Sequence, residues 1–170
     1  MLKAHTVNQG GEVTLASPDP RDRPAVNFRY FEEGTDRGGR DLDAVVDGVK
    51  FVRRMTEDLR RSGRIVEEEL PGDRCVSDED LRTFVRDNAW GHHASCTCKM
   101  GPPDDPAAVV DSRFRVLGTR NLRVVDASVF PRIPGFFIVT PTYMISEKAS
   151  DVILADAGAA VPARRHAGVS

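Results

Sequence analysis

Between Asp41 and Ser62 the apolar residues Leu42, Val45, Val46, Val49, Val52, Met55 and Leu59 recur every three or four positions. That recurrence matches the 3.6-residue turn and predicts one amphipathic helix of about six turns. Gly63 follows, in the position where left-handed backbone closes a helix most easily. An apolar stripe of this kind has to be buried against a second layer, so the rest of the chain must supply one. With 170 residues it has enough length for one domain with a sizeable core, and too little for the two large domains that many cofactor enzymes need. Arg53, Arg54, Arg60 and Arg61 fall in the second half of the helix, where they favour the negative end of its dipole. They read as a solvated face rather than a binding patch.

The expected second layer is easy to find. In GEVTLAS, residues 11–17, Val13 and Leu15 alternate with polar neighbours, and in AVNFRYF, residues 25–31, Val26, Phe28 and Tyr30 do the same. Two strands joined by the proline-rich PDPRDRP are predicted. After the acidic loop EEELPGD, Ser77 can cap a helix with Asp80 three residues on and Leu81, Phe84 and Val85 inside. PPDDP at 102–106 then breaks regular structure, and VVDSRFRVLGTRNLRVVDASVFPRIPG reads as strand, turn, strand and loop, with LRVVDA suited to a buried strand. A last helix is predicted from Thr140 as cap, with Pro141 in its first position and Met144, Ile145, Ala149, Val152 and Ile153 on one face, ending by Gly158. No repeat or linker interrupts this α/β (α+β) pattern. Residues 1–157 read as one domain and residues 158–170 as a disordered tail.

Charge excludes some functions. A formal net charge of −2 with scattered basic residues gives no footprint for a nucleic-acid backbone. The longest apolar runs, FFIV and VIL, fall far short of the ~20 residues of a membrane span, and the first residues lack the ~7 to 15 apolar positions of a secretory signal. Cys75, Cys96 and Cys98 make an odd number, so reduced thiols in a cytoplasmic, soluble protein are expected rather than a disulfide framework.

The chemistry concentrates in WGHHASCTCKMG, residues 90–101. His92, His93, Cys96 and Cys98 are all zinc-competent side chains. On a strand, however, adjacent histidines point to opposite faces, and the spacing lacks the paired gaps of structural zinc sites, so no metal is assigned. The remaining readings are histidines that are merely satisfied polar groups, and an acid/base group facing a cofactor.

His93, Thr97, Cys98, Met100 and Gly101 resemble the H-x-x-G-T-C-x-M-G signature of the glucose-methanol-choline (GMC) oxidoreductases, flavoenzymes that oxidise alcohols. Asp111, Arg115, Val116 and Gly118, then NLRVVDAS at 121–128 with Pro131, then PTYMISEKASD at 141–151, are similar to that family's later blocks in order and spacing. VTLASPDPRDRPAVNFRYF resembles the start of its C-terminal region, and the choline-dehydrogenase-like members are the nearest in kind. The resemblance implies the C-terminal part of a two-domain enzyme that uses FAD: a substrate-side antiparallel sheet with packed helices, plus a strand and helix that complete the sheet of the FAD domain. It further implies that His93 sits over the flavin and handles the proton of an alcohol substrate, a task suited to an imidazole whose unperturbed pKa lies near ~6.5. Asp126 and Ala127, and Val139 and Thr140 before the last helix, are implied to meet the cofactor.

The chain departs from the family in three ways. Cys96 stands where the family usually has glycine. The second active-site position, commonly Asn or His, falls on Phe137, which can neither give nor take a proton. Thr140 with a water, His93 alone, or a locally shifted alignment are the ways round that. No G-x-G-x-x-G turn is present to receive a pyrophosphate, since NQGGEV and TDRGGRD lack the spacing. The nucleotide-binding half is thus implied to lie in residues this sequence does not contain, and that half, or an oligomer partner, is the expected partner. A non-catalytic remnant that binds a partner and, less favoured, a small zinc protein are the other readings.

Overall fold

The computed structural model describes residues 6–135 and 137–158. Its main elements are β1 (Glu12–Thr14), β2 (Ala25–Asn27), α1 (Arg40–Met55), α2 (Glu57–Arg61), α3 (Asp78–Asn88) and α4 (Val139–Asp156), with short 3-10 turns at Phe31–Glu33 and Ala127–Val129. This is the mixed helix-and-strand class that the sequence predicts. Two compact units divide after His92, each with its own apolar cluster.

In the first unit β1 and β2 pair antiparallel, Glu12 opposite Asn27, Val13 opposite Val26 and Thr14 opposite Ala25. Both predicted strands exist, cut to three residues each. Asn8 holds the segments around them. Its side-chain amide donates to Phe28 O and Arg29 O at 2.9 Å, while its Oδ1 accepts from Gly10 N and Thr35 N. Buried Asp41, at the start of α1, accepts from Val7 N at 2.7 Å and Asn8 N at 3.1 Å.

The core of this unit is Leu42, Val46 and Val49 of α1 packed on Leu81 and Val85 of α3. The single helix predicted over 41–62 is instead two, because the backbone leaves helical geometry at Thr56, with its hydroxyl donating to Val52 O at 2.9 Å. Packing explains the break. Beyond Val49 the stripe residues Val52, Met55 and Leu59 are exposed, so nothing holds the second half in line with the first. Gly63 closes the pair at φ +69, as predicted. Three of the four arginines bind carboxylates: Arg53 grips Glu68 with bonds of 2.7 and 3.0 Å, Arg60 reaches Glu68 and Asp73, and Arg61 pairs with Glu57. The arginine face therefore holds the acidic loop down.

The second unit is largely irregular. Val110, Phe114, Val129 and Ala149 form its core, with Met100, Val116, Val124, Val125 and Ile145 around them. Isolated bridges join Met100 to Val110, Val110 to Val116 and Arg115 to Arg123. LRVVDA is accordingly no regular strand: among the described residues only Arg123 has a bridge partner, although Val124 and Val125 pack on the core. A strand needs a neighbour along its length.

Helix α4 starts at Val139 with Ile138 before it, so Thr140 and Pro141 lie inside its first turn rather than at its boundary. Proline tolerates that place, because N–H groups in the first turn have no intrahelical partner to lose. Thr142 bonds back to Ile138 O through both its N–H, at 2.9 Å, and its hydroxyl, at 2.7 Å, which fixes the earlier start. Of the predicted inner face, Ala149 and Val152 are buried and Ile145 is half-buried, whereas Met144 and Ile153 are exposed. From residue 159 the predicted tail lies outside the described residues, as does Phe136.

Candidate functional site

The segment that carries His93 has no regular secondary structure. It is pinned instead by three hydrogen bonds at alternate residues: Cys96 N to Ala127 O at 3.2 Å, Cys98 N to Ser128 O at 2.9 Å and Met100 N to Val129 O at 2.9 Å. Those carbonyls belong to the 3-10 turn at Ala127–Val129, whose start is capped by Asp126 accepting from Ser128 N at 2.7 Å. The motif thus lies directly along Ala127 and the two residues that follow it. Cys96 has a φ of +70, the left-handed region that suits glycine. This is the physical reason a glycine is usual at that place.

His93 is half-buried, and its ring meets Phe137 edge-on, with centroids 5.9 Å apart and planes at 75°. The motif histidine and Phe137, the expected second position, are therefore neighbours across more than 40 residues of sequence. His92 stacks on Trp90 at 4.9 Å. No strand forces the two imidazoles apart, yet they engage different aromatic partners.

Phe137 leads straight into α4, where Val139 and Thr140 are exposed in the first turn. Phe137, Val139 and Tyr143 are 65%, 61% and 71% exposed, an apolar strip that sequence patterning missed. The available signal was that the first half of α4, from Val139 to Ile145, carries no charge and has apolar residues on more than one side. Its polar residues even hide their hydroxyls, since Thr142, Ser146 and Ser150 each donate to the carbonyl four residues back.

The rest of the motif is structural. Lys99 bonds Asp105 at 2.6 Å, and the Lys99 ammonium, followed by the Ala107 N–H, holds the Asp105 carboxyl below the usual carboxylate range. A Cβ on Gly101 would lie 3.0 Å from Ala108 Cβ and 3.2 Å from Asp105 Oδ2, so only glycine lets this turn dock without displacement. Among the described residues no group of three or more His, Cys, Asp or Glu side chains is placed to hold a metal ion, and Cys75, Cys96 and Cys98 are free thiols.

These residues fit the ring end of a flavin. An exposed apolar strip, an imidazole beside it and the N-terminal turn of an 18-residue helix suit a flat ring that gains negative charge. They do not fit its phosphates, for which no glycine-rich cradle is present.

A family model described as GMC oxidoreductase matches residues 7–146. The oxygen-dependent choline dehydrogenase of Vibrio vulnificus is 39% identical over 145 residues, covering 85% of this chain and 25% of that protein. Mitochondrial choline dehydrogenase of Homo sapiens is 38% identical over 148 residues, 84% of this chain and 23% of the relative. Among solved structures, a formate oxidase of Aspergillus oryzae described for its FAD modification superposes with a TM-score of 0.74 at 30% identity, over 89% of this chain and 26% of that one. A fungal aryl-alcohol oxidase gives 0.65 at 31% identity, over 87% and 24%. The chain spans about a quarter of the length of these relatives. No helix among the described residues is long and apolar enough to cross a membrane.

Proposed function

The chain belongs to the GMC oxidoreductases, as their C-terminal region, and from that premise we propose that it supplies the substrate side and the proton-handling histidine of an FAD-dependent alcohol oxidoreductase. His93 takes the hydroxyl proton of the substrate as a hydride departs from the carbinol carbon. When bound, FAD supplies the acceptor for that hydride, at the flavin N5. The imidazole suits the first task because it exchanges a proton near neutral pH, and once protonated it also balances negative charge beside it.

Asp126, Ala127, Val139 and Thr140 are the residues that would hold the cofactor's ring end. The amides at the start of α4 favour the negative charge that reduction brings. Phe137 carries no proton, so Thr140 with a water is the candidate second group and His93 does the principal work. The nucleotide-binding half completes the site as the partner of this region. The observation that carries the reading is the ring contact between His93 and Phe137, which joins the motif histidine to the approach to α4.

The test is co-expression with the nucleotide-binding half of a relative, followed by flavin absorbance and dye reduction with alcohols. His93→Ala should keep the flavin and lose about 10²- to 10⁴-fold in kcat. Unchanged turnover would remove the histidine from the mechanism. A non-catalytic domain that only binds a partner would yield flavin binding without turnover in the unaltered sequence as well.

A further inference from the structure

We propose that Cys96 and Cys98 are a redox-active thiol pair, closed to a disulfide by a hydroperoxide, and that the closure resets the segment carrying His93. Both are free thiols, and both residues are half-buried in the second unit. In extended chain, residues two apart lie about 7 Å from one another, just beyond the roughly 4.4–6.8 Å that a disulfide spans between Cα atoms. Here Thr97 and Cys98 form the middle of a turn, which draws Cys96 and Cys98 together. Cys96 is also held in left-handed backbone, φ +70, that glycine would occupy without strain. Strain of that kind collects where a side chain is used. Cys75, the third thiol, packs against the α1–α3 core and has no second cysteine in its own unit.

One sulfur, as its thiolate, attacks the terminal oxygen of the hydroperoxide. The S–O bond forms, the O–O bond breaks, and the remaining oxygen leaves with a proton as an alcohol or water. The second cysteine sulfur then attacks the sulfenic sulfur; the S–S bond forms, the S–O bond breaks, and the hydroxyl departs as water with the second thiol proton. Two electrons pass from the sulfur pair to the peroxide. A ring this small is strained, so a thiol reductant reopens it. The effect on His93 follows from what holds its segment. Cys96 N bonds Ala127 O at 3.2 Å and Cys98 N bonds Ser128 O at 2.9 Å, one on each side of Thr97. A disulfide across Thr97 changes the spacing of these two anchors, and the Cys96 anchor is the nearer one to His93. The His93 ring, whose centroid lies 5.9 Å from that of Phe137, therefore registers the closure. This concerns where the imidazole sits and holds whether or not it handles a proton.

The test treats the reduced 170-residue chain with an equivalent of hydrogen peroxide, then with N-ethylmaleimide, then with trypsin. Cleavage after Arg86 and Lys99 releases residues 87–99 with Cys96 and Cys98, while Cys75 falls in a different peptide. The 87–99 peptide should lose two hydrogen atoms in mass and take no maleimide, Cys75 should be fully alkylated, and dithiothreitol added before alkylation should restore both thiols. Two alkylated thiols, a cross-link to Cys75, or a sulfinic acid in place of the disulfide overturns the pairing. The equilibrium with glutathione should favour the disulfide about tenfold or more in the folded chain over the excised peptide, and an equal or lower ratio overturns the part assigned to the turn. In NMR spectra the His93 ring protons should shift on oxidation, return on reduction, and stay unmoved by peroxide in Cys96→Gly, which suits the left-handed backbone and lacks the pair. A His93 signal that ignores the disulfide, or one that still shifts in Cys96→Gly, overturns the coupling.

Discussion

At Cys96 a side chain occupies left-handed backbone, φ +70, that costs an L-residue about 1–2 kcal/mol. Glycine would remove that cost and lose about 0.5–1 kcal/mol to the greater freedom of the unfolded chain. Cys96→Gly should therefore be neutral or stabilise by up to about 1.5 kcal/mol, while Cys96→Val, branched at Cβ, should destabilise by about 1–2 kcal/mol; denaturant midpoints of the two variants check this. Asn8 is the opposite case, a side chain whose bonds replace backbone pairing. Asn8→Ala strands Gly10 N, Thr35 N and the Phe28 and Arg29 carbonyls, at an expected cost of about 2–4 kcal/mol by thermal unfolding. Gly34 depends on the same knot, since a Cβ there would lie 2.3 Å from Asn8 Oδ1 and 2.6 Å from Arg29 O. Gly34→Ala should displace Asn8, and combined with Asn8→Ala it should cost less than the sum of the two. The glycine preference at position 96 was legible through the family resemblance. The role of Asn8 was not, because three of those partners, Phe28, Arg29 and Thr35, are 20 to 27 residues away.

Among the elements, α3 follows its sequence signal closely. Ser77 accepts from Asp80 N at 3.1 Å and Asp80 accepts from Ser77 N at 2.9 Å, the reciprocal cap that the spacing predicts. Ser77→Ala should destabilise by about 1 kcal/mol, measurable as a lowered Tm. Helix α4 is held at its far end by Asp156, which binds both Arg113 and Arg123, the latter at 2.6 Å, while Arg123 also donates to Arg113 O at 2.7 Å. The Arg113 bond, then the Arg123 bond, holds the Asp156 carboxyl below the usual carboxylate range. A depressed carboxyl contributes its stability above the unfolded pKa and loses it as pH falls through the lower folded value. The Tm gap between the unaltered chain and Asp156→Asn should accordingly be full at neutral pH and close in acid; a gap that persists at the lowest pH would exclude the ionised carboxylate as its source. Local signals located α3 because its cap and inner face lie within one short window. They misplaced the break at Thr56 and the start of α4, because burial beyond Val49 and the Thr142 back-bonds decide those boundaries.

For the whole molecule, the exposed apolar residues carry the main consequence. Leu15, Val26, Val66 and Leu70 are exposed in the first unit, and Phe137, Val139, Tyr143 and Met144 in the second. Surfaces of this kind mark contact with other protein or with a ligand, so the 170-residue chain by itself should associate at micromolar concentration. Light scattering should show that association weaken in a Tyr143→Lys, Met144→Lys variant; a monodisperse monomer of the unaltered chain that melts cooperatively would contradict this. The sequence alone determined the family, the helix faces of α1 and α3, the paired strands and the histidine motif, since each is written in residues close together along the chain. Tertiary structure decided which of two adjacent histidines meets Phe137, why LRVVDA forms a single bridge rather than a strand among the described residues, and which side of α4 is buried. Those outcomes depend on contacts between distant segments, and a one-dimensional pattern carries no record of what a side chain will touch.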